Sequence, residues 1–325
     1  WEEGTIFAMT GSFADIMRVR EANELAGDFV RGKIRSIVDD PVTAEALCPT
    51  TYPMGSKRLC LDTGYYATYN QPHVTLVDLR ANPISSITET GIDVVDGDGA
   101  TSHEFDAIVF ATGFDAMTGA IVRVDIHGRD GESLKEKWDD GPKTYLGLMT
   151  HGFPNLFMVT GPQSPSVLSN MAVSIEQHVD WICDTIDHLR EHGRTVIEPT
   201  ATAEEGWVEH TNDFADITLF PQANSWYMGA NVPGKARVVL PYVGGVGRYR
   251  GICDRVVDEG YLGFALRGAD GQVTVNDGVV CRLAPDVMAM LDMMAEMEVP
   301  AIDSLPPVEA RGLMEVMRAA SPPGP

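Results

Sequence analysis

The stretch from Asp106 to Gly119, Asp-Ala-Ile-Val-Phe-Ala-Thr-Gly-Phe-Asp-Ala-Met-Thr-Gly, joins a wholly apolar run to a glycine turn. Residues 107–111 show no polar alternation, the pattern of a strand covered on both faces of a parallel sheet. Thr112 and Gly113 then fall at the carboxyl end of that strand, where a backbone free of Cβ can approach a ligand and where open α/β sheets bind one. A second apolar run, Asn155 to Val159, ends likewise at Thr160-Gly161-Pro162. Beyond it Ser169 or Asn170 can cap a helix whose amino terminus would offer unpaired N–H groups and the positive end of its dipole to a negatively charged group. The loop Tyr52-Pro53-Met54-Gly55-Ser56-Lys57-Arg58 sets two adjacent cations in an acidic chain. By composition alone such a pair is most often solvated surface. The segment from Ser225 to Lys235 combines Trp226, Tyr227, two glycines and a proline. That suits a loop that moves and covers a site, and equally a buried loop built on a core tryptophan.

The elements that must position these residues can be read from periodicity. Apolar residues at Ile16, Leu25, Phe29, Val30, Ile34, Ile37 and Val38 predict an amphipathic helix within 15–39, with a break near Arg20. Asp40-Pro41 opens a short second helix closed by Pro49. Strands are expected at 74–79, 155–159 and 238–243, with an antiparallel meander over 84–95. The clearest helix runs from Ser169 or Asn170 to His192, with Ile175, Val179, Ile182, Ile186 and Leu189 as its inward stripe. Further helices are expected around Trp207 to Phe220 and from Arg248 to Gly260, the latter with Tyr249, Ile252, Val256 and Val257 inward. Residues 269–278 read as a polar linker, and Met-rich helices follow.

The 325 residues carry 44% apolar and 22% charged side chains, as expected of a soluble globular protein; the α/β class rests on the strand pattern and the resemblance below. A formal net charge of -23 repels phosphate backbones and anionic lipid, which argues against nucleic acid as a partner. No apolar run approaches the roughly 18 residues of a membrane span. The five cysteines lack both disulfide-framework and metal-ligand spacing, so no metal is expected and a reducing, cytoplasmic setting is. The first residue is Trp1, so a preceding segment is expected.

Residues 1–267 resemble the carboxyl-terminal half of flavin-dependent Baeyer–Villiger monooxygenases of the phenylacetone and cyclohexanone type. The resemblance rests on Gly55-Ser56-Lys57-Arg58, 62–70 with its paired tyrosines, 106–119, 161–171, Ile175-Glu176-Gln177-His178, and 225–235. It implies part of a fold with two interwound dinucleotide-binding domains: 1–103 would complete the NADPH domain with its helical insertion, and 104–267 would return to the FAD domain. It also implies that NADPH reduces FAD, that O2 adds to give a flavin peroxide, and that this attacks a ketone to yield an ester or lactone. Arg58 matches the catalytic arginine of that family, Lys57 an NADP-contacting lysine, Trp226 the mobile-loop tryptophan, Thr112 and Gly113 the flavin-side turn, and Met171 a backbone contact to the flavin ring. No Gly-x-Gly-x-x-Gly opens a helix here, so the isolated chain is expected to be an inactive fragment. The tail from Leu283 resembles the start of a hormone-sensitive-lipase-like α/β-hydrolase, which suggests a fused esterase. The competing readings are a flavin-dependent N- or S-oxygenase and a non-catalytic acidic interaction module.

Overall fold

The computed structural model describes residues 15–97 and 99–280. The hydrolase-like tail lies outside them. Helix α1, Arg20–Ile37, begins where the sequence suggested a break. It buries Asn23, Ala26, Gly27 and Ile34, whereas Leu25 and Phe29 of the expected stripe face outward. Helix α2, Pro41–Leu47, starts as predicted: the Asp40 carboxylate accepts the Thr43 backbone N–H at 2.8 Å. Its ion-favouring bonds, that of the Thr43 hydroxyl first, hold the Asp40 carboxyl below its usual pKa. A single turn, α3, covers Tyr65–Thr68.

The meander forms and is longer than expected. Strands β1 (Ile84–Ile87), β2 (Gly91–Asp96) and β3 (Gly99–Glu104) make one antiparallel three-stranded sheet in that order. Short helices α4 (Gly119–Val122) and α5 (Leu134–Lys137) precede the long α6, Met171–Glu191. Then come β4 (Arg194–Pro199), α7 (Ala201–Asp216), α8 (Val246–Asp258), β5 (Phe264–Gly268) and β6 (Val273–Asn276). Strands β4, β5 and β6 form the second antiparallel sheet, so residues 273–276 of the expected linker belong to a strand. Helix α7 stops at Asp216, short of Phe220. In α8, Cys253 takes the inward place expected of Val257, because it lies four residues after Tyr249 on the buried face.

No strand is assigned at 74–79, 107–111, 155–159 or 238–243. A strand needs a hydrogen-bonded neighbour, and residues 107–111 have none among the described residues. Val109 is 87% exposed, Phe110 66% and Phe114 89%. The runs at 155–159 and 238–243 are buried in part, but form no ladder: Asn155, at φ 59°, exchanges bonds with Ile197 of β4, and the next residues bond to turns. The Met158 N–H donates to Leu148 O at 2.8 Å and Leu240 N–H to Tyr227 O at 2.9 Å.

Around α7 the interior is aromatic. Trp207, Tyr242 and Tyr249 are fully buried, with Trp207 stacked on Tyr242 at 5.2 Å and its indole N–H donating to Gln163 O at 3.1 Å. The salt bridge from Lys137 Nζ to Glu204 Oε2, 2.9 Å, is buried and shared with the Thr150 hydroxyl and His151 N–H, so the carboxylate's lone pairs are satisfied.

Candidate functional site

The loop of Lys57 and Arg58 is fixed from α1. Buried Asn23 donates to Ile16 O at 2.8 Å and Met54 O at 2.9 Å, and its side-chain oxygen accepts the Met54 N–H at 2.8 Å. All of its side-chain hydrogen-bonding capacity but one lone pair is thus spent, two bonds on Met54 and one on Ile16. Ser56, also buried, donates its hydroxyl to Pro53 O at 2.6 Å and closes the turn. Arg58 then extends away, and its guanidinium donates to Val167 O at 2.7 Å. It also acts on the Tyr227 hydroxyl: burial pushes that phenol's pKa up, and the Arg58 charge opposes the rise.

Val167 lies in the loop between Gly161 and Met171, whose backbone is forced by a close approach. Gly147 has φ +68°, and a Cβ there would sit 2.6 Å from Ser164 N; one on Gly161 would sit 2.5 Å from Gly147 O. Two chains therefore pass back to back with no room for a side chain. The left-handed region is also occupied by Thr160 (φ 52°), Gln163 (φ 65°) and Ser166 (φ 41°), a concentration of strain of the kind that marks functional loops. Its base is held by His178 on α6. The Thr160 N–H donates to His178 Nδ1 at 2.8 Å, His178 Nε2 lies 2.8 Å from the Tyr249 hydroxyl, and that hydroxyl donates to Leu146 O at 2.7 Å. Since Nδ1 accepts and the hydroxyl is already donating, Nε2 carries the proton. Burial drives the His178 pKa down to about 4, so the ring is neutral.

The inward face of α6 departs from the expected stripe in its first half: Leu189 is buried as expected and Ile182 and Ile186 are half-buried, but the amino-terminal positions differ. Ser174, His178, Trp181, Thr185 and Leu189 are buried, while Ile175 and Val179 are exposed. The polar residues win because they have partners inside: besides His178, Thr185 donates to Trp181 O and the Ser174 hydroxyl meets that of Ser169. The cap is as predicted, with the Asn170 side chain accepting the Ala172 N–H at 3.1 Å. Met171 stands partly exposed at this open end, and the Ser166 hydroxyl lies 3.9 Å from its sulfur and 3.8 Å from that of Met117.

Met117 brings in the segment after Thr112 and Gly113. Gly113 has φ +90° with nothing within 4 Å of the place a Cβ would take, so the backbone conformation, not crowding, calls for glycine. Thr112 and Gly113 are both exposed. Next to them, Asp115 pairs with Lys235 at 2.6 Å. Trp226 is half-buried in the single turn Trp226–Met228, its ring 4.3 Å from that of Tyr227. Arg58, Met171 and Trp226 are thereby joined in one circuit of contacts, and Thr112 and Gly113 adjoin it through the chain. Lys57 points aside, its ammonium 4.3 Å from the centroid of the Tyr52 ring, a cation–π contact. Sequence reasoning gave no role to Asp115, Lys235, Asn231 or Tyr227. The available signal was a lone carboxylate two residues after Gly113 and a lone cation ending a glycine-rich loop.

No protein-family model matches the chain. Individual proteins do. An acetone monooxygenase (methyl acetate-forming) from Gordonia sp. strain TY-5 is 46% identical over 267 residues, 82% of this chain and 50% of that protein. The chain is similar to Baeyer–Villiger monooxygenases. A phenazine N-monooxygenase from Lysobacter antibioticus is also 45% identical over 267 residues, 82% of this chain and 48% of its own length. Among solved structures, cyclohexanone monooxygenase from Rhodococcus sp. Phi1 bound to NADP+ superposes with a TM-score of 0.78 at 45% identity, covering 83% of this chain and 50% of that one. The chain thus carries part of the α/β fold of flavin monooxygenases and spans about half the length of the relatives it matches. Among the described residues no helix is long and apolar enough to cross a membrane, and no cluster of metal-ligating side chains occurs.

Proposed function

We propose that this chain is the carboxyl-side part of an FAD- and NADPH-dependent Baeyer–Villiger monooxygenase that inserts one atom of O2 into a ketone, giving an ester or lactone. The observation that carries the reading is Arg58, whose guanidinium is held by Val167 O beside the Tyr227 hydroxyl on the turn bearing Trp226. The residues fit the cofactors by their chemistry. Thr112, Gly113 and Met171 would hold FAD, with exposed backbone on one side and the open end of a 21-residue helix on the other, where negative charge is favoured. Lys57, Arg58 and Trp226 would hold NADP(H). Residues 1–103 would serve the NADPH domain and 104–267 the FAD domain.

Bound FAD, reduced by NADPH, would pass its electrons to O2 and so supply the activated oxygen atom. Arg58 keeps a positive charge fixed where negative charge develops on the substrate oxygen, and a guanidinium does not surrender that charge near neutral pH. The half-buried Trp226 excludes water from the same space. His178 moves no proton; it holds the Thr160 end of the loop that presents Val167 O to Arg58.

In the full-length protein, Arg58→Ala should still allow saturating NADPH to bleach the flavin, and should lower ester formation by about a hundredfold or more, the scale of one lost oxyanion donor. Undiminished ester formation would remove Arg58 from the chemistry. The phenazine N-monooxygenase at comparable identity supports a second reading, oxygenation of a nitrogen. Product analysis with a ketone and with an aromatic N-heterocycle separates the two.

A further inference from the structure

The loop that carries Trp226 is fastened to the segment after Gly113 by bonds that none of the roles above explains. Lys235 Nζ lies 2.6 Å from Asp115 Oδ1 and 2.9 Å from Ala116 O, and Asn231 Nδ2 donates to Phe114 O at 2.8 Å. The carboxylate of one residue and the carbonyls on either side of it are all taken by the same loop. The ion pair is sheltered, with side-chain exposures of 14% for Lys235 and 27% for Asp115, so it is screened less than a surface pair. Asp115 is itself wedged: a Cβ on Gly119 would fall 2.4 Å from its Cγ. The ends of the loop are anchored elsewhere, by Leu240 N–H to Tyr227 O at 2.9 Å and by Ser225, which caps its own turn. The turn itself holds Ala230, whose N–H donates to Ser225 O at 3.1 Å, so what the contacts to 114–116 fix is the span 231–235.

We propose that Asp115 and Lys235, with Asn231, form a positioning clamp that couples the Thr112-Gly113 segment to the Trp226 loop, so that each is ordered only when the other is in place. In the monooxygenase reading, on which this use of the clamp rests, it ties the flavin-side turn to the NADP-side loop and makes the seating of one cofactor favour the other. Neither residue of the pair touches the reacting atoms.

The test is hydrogen–deuterium exchange on the full-length protein and on its Asp115→Asn, Lys235→Met and Lys235→Arg variants. Asp115→Asn and Lys235→Met should each speed exchange about tenfold in both segments, 113–122, where the Thr118 and Val122 N–H groups are bonded, and 229–236, while α1 and the β4–β6 sheet exchange as in wild type. Lys235→Arg, which keeps the charge, should restore protection in both. With flavin bound, Lys235→Met should raise KM for NADPH about tenfold with kcat within about twofold. Wild-type exchange in the variants, or loss of protection confined to the mutated segment, overturns the clamp. Exchange needs no flavin, so the two readings fail separately. A colourless protein whose variants lose protection in both segments upholds the clamp and sinks the oxygenase. A yellow, NADPH-reducible protein whose variants exchange like wild type does the opposite.

Discussion

Two apolar regions of similar composition end in opposite states. Around α7, Trp207, Tyr242 and Tyr249 are sealed in, each ring against another and each polar atom of Trp207 and Tyr249 bonded. At 107–114 an equally apolar run lies open, with Phe114 89% exposed. The difference is in neighbours, not in residue type. The aromatic core is assembled from segments within 145–264, all in this chain, whereas a doubly covered strand needs partners on both edges and both faces. The same contrast runs along α6, where Ser174 and His178 are buried while Ile175 and Val179 are exposed. The relatives are about twice as long as the stretch they share with this chain, and we propose that their other half supplies what covers 107–114 and the Ile175–Val179 face.

The sharpest way to break this contrast is to empty the closed region. Trp207→Ala should cost about 3–5 kcal/mol in urea unfolding, the usual range for a buried aromatic replaced by alanine, and a loss below about 1 kcal/mol would show that the core is not sealed. Acid should open the same region. His178 and His210 are buried, with pKa values lowered to about 4 by desolvation, so the unfolded chain binds more protons than the folded one from about pH 6.5 down to about pH 4. Stability should be fully present above that window and fall through it, and His210→Gln should flatten the fall in the denaturation midpoint.

Smaller effects test the edges of the comparison. Thr200 caps α7 through Ala203 N–H and also donates to Asp277 at 2.6 Å, so Thr200→Ala should cost about 1 kcal/mol in thermal unfolding. Phe110→Ser, at an exposed site, should change the stability of this chain by no more than about 0.5 kcal/mol. A cost of several kcal/mol in the full-length protein, measured in parallel, would establish that the segment is covered there.

What the sequence revealed follows the same division. Helices were legible where caps are local: Asp40-Pro41 and Asn170 cap where their residue types suggested. The 84–95 meander was legible because its neighbours are adjacent in the chain. Strands at 107–111 and 155–159 were misread, since an apolar run reports that burial is needed but not which edge will supply the hydrogen bonds. The stripe of α6 was misread because hydrophobicity alone ranks Ile175 above His178, and only the positions of Thr160 and Tyr249 reveal that the histidine is satisfied inside. Arg58, Met171 and Trp226 were named through resemblance alone. The Asp115–Lys235 pair, 120 residues apart, needed the fold.

The outward apolar face of α6 and the open 107–114 segment also bear on how this chain behaves among copies of itself. With a formal charge of -23, neighbouring molecules repel one another over distances set by the Debye length, about 10 Å at 0.1 M salt and about 3 Å at 1 M. Added salt shortens that reach while leaving the apolar faces unchanged. Colloidal stability of the chain alone is therefore greatest in dilute buffer and falls as ionic strength rises.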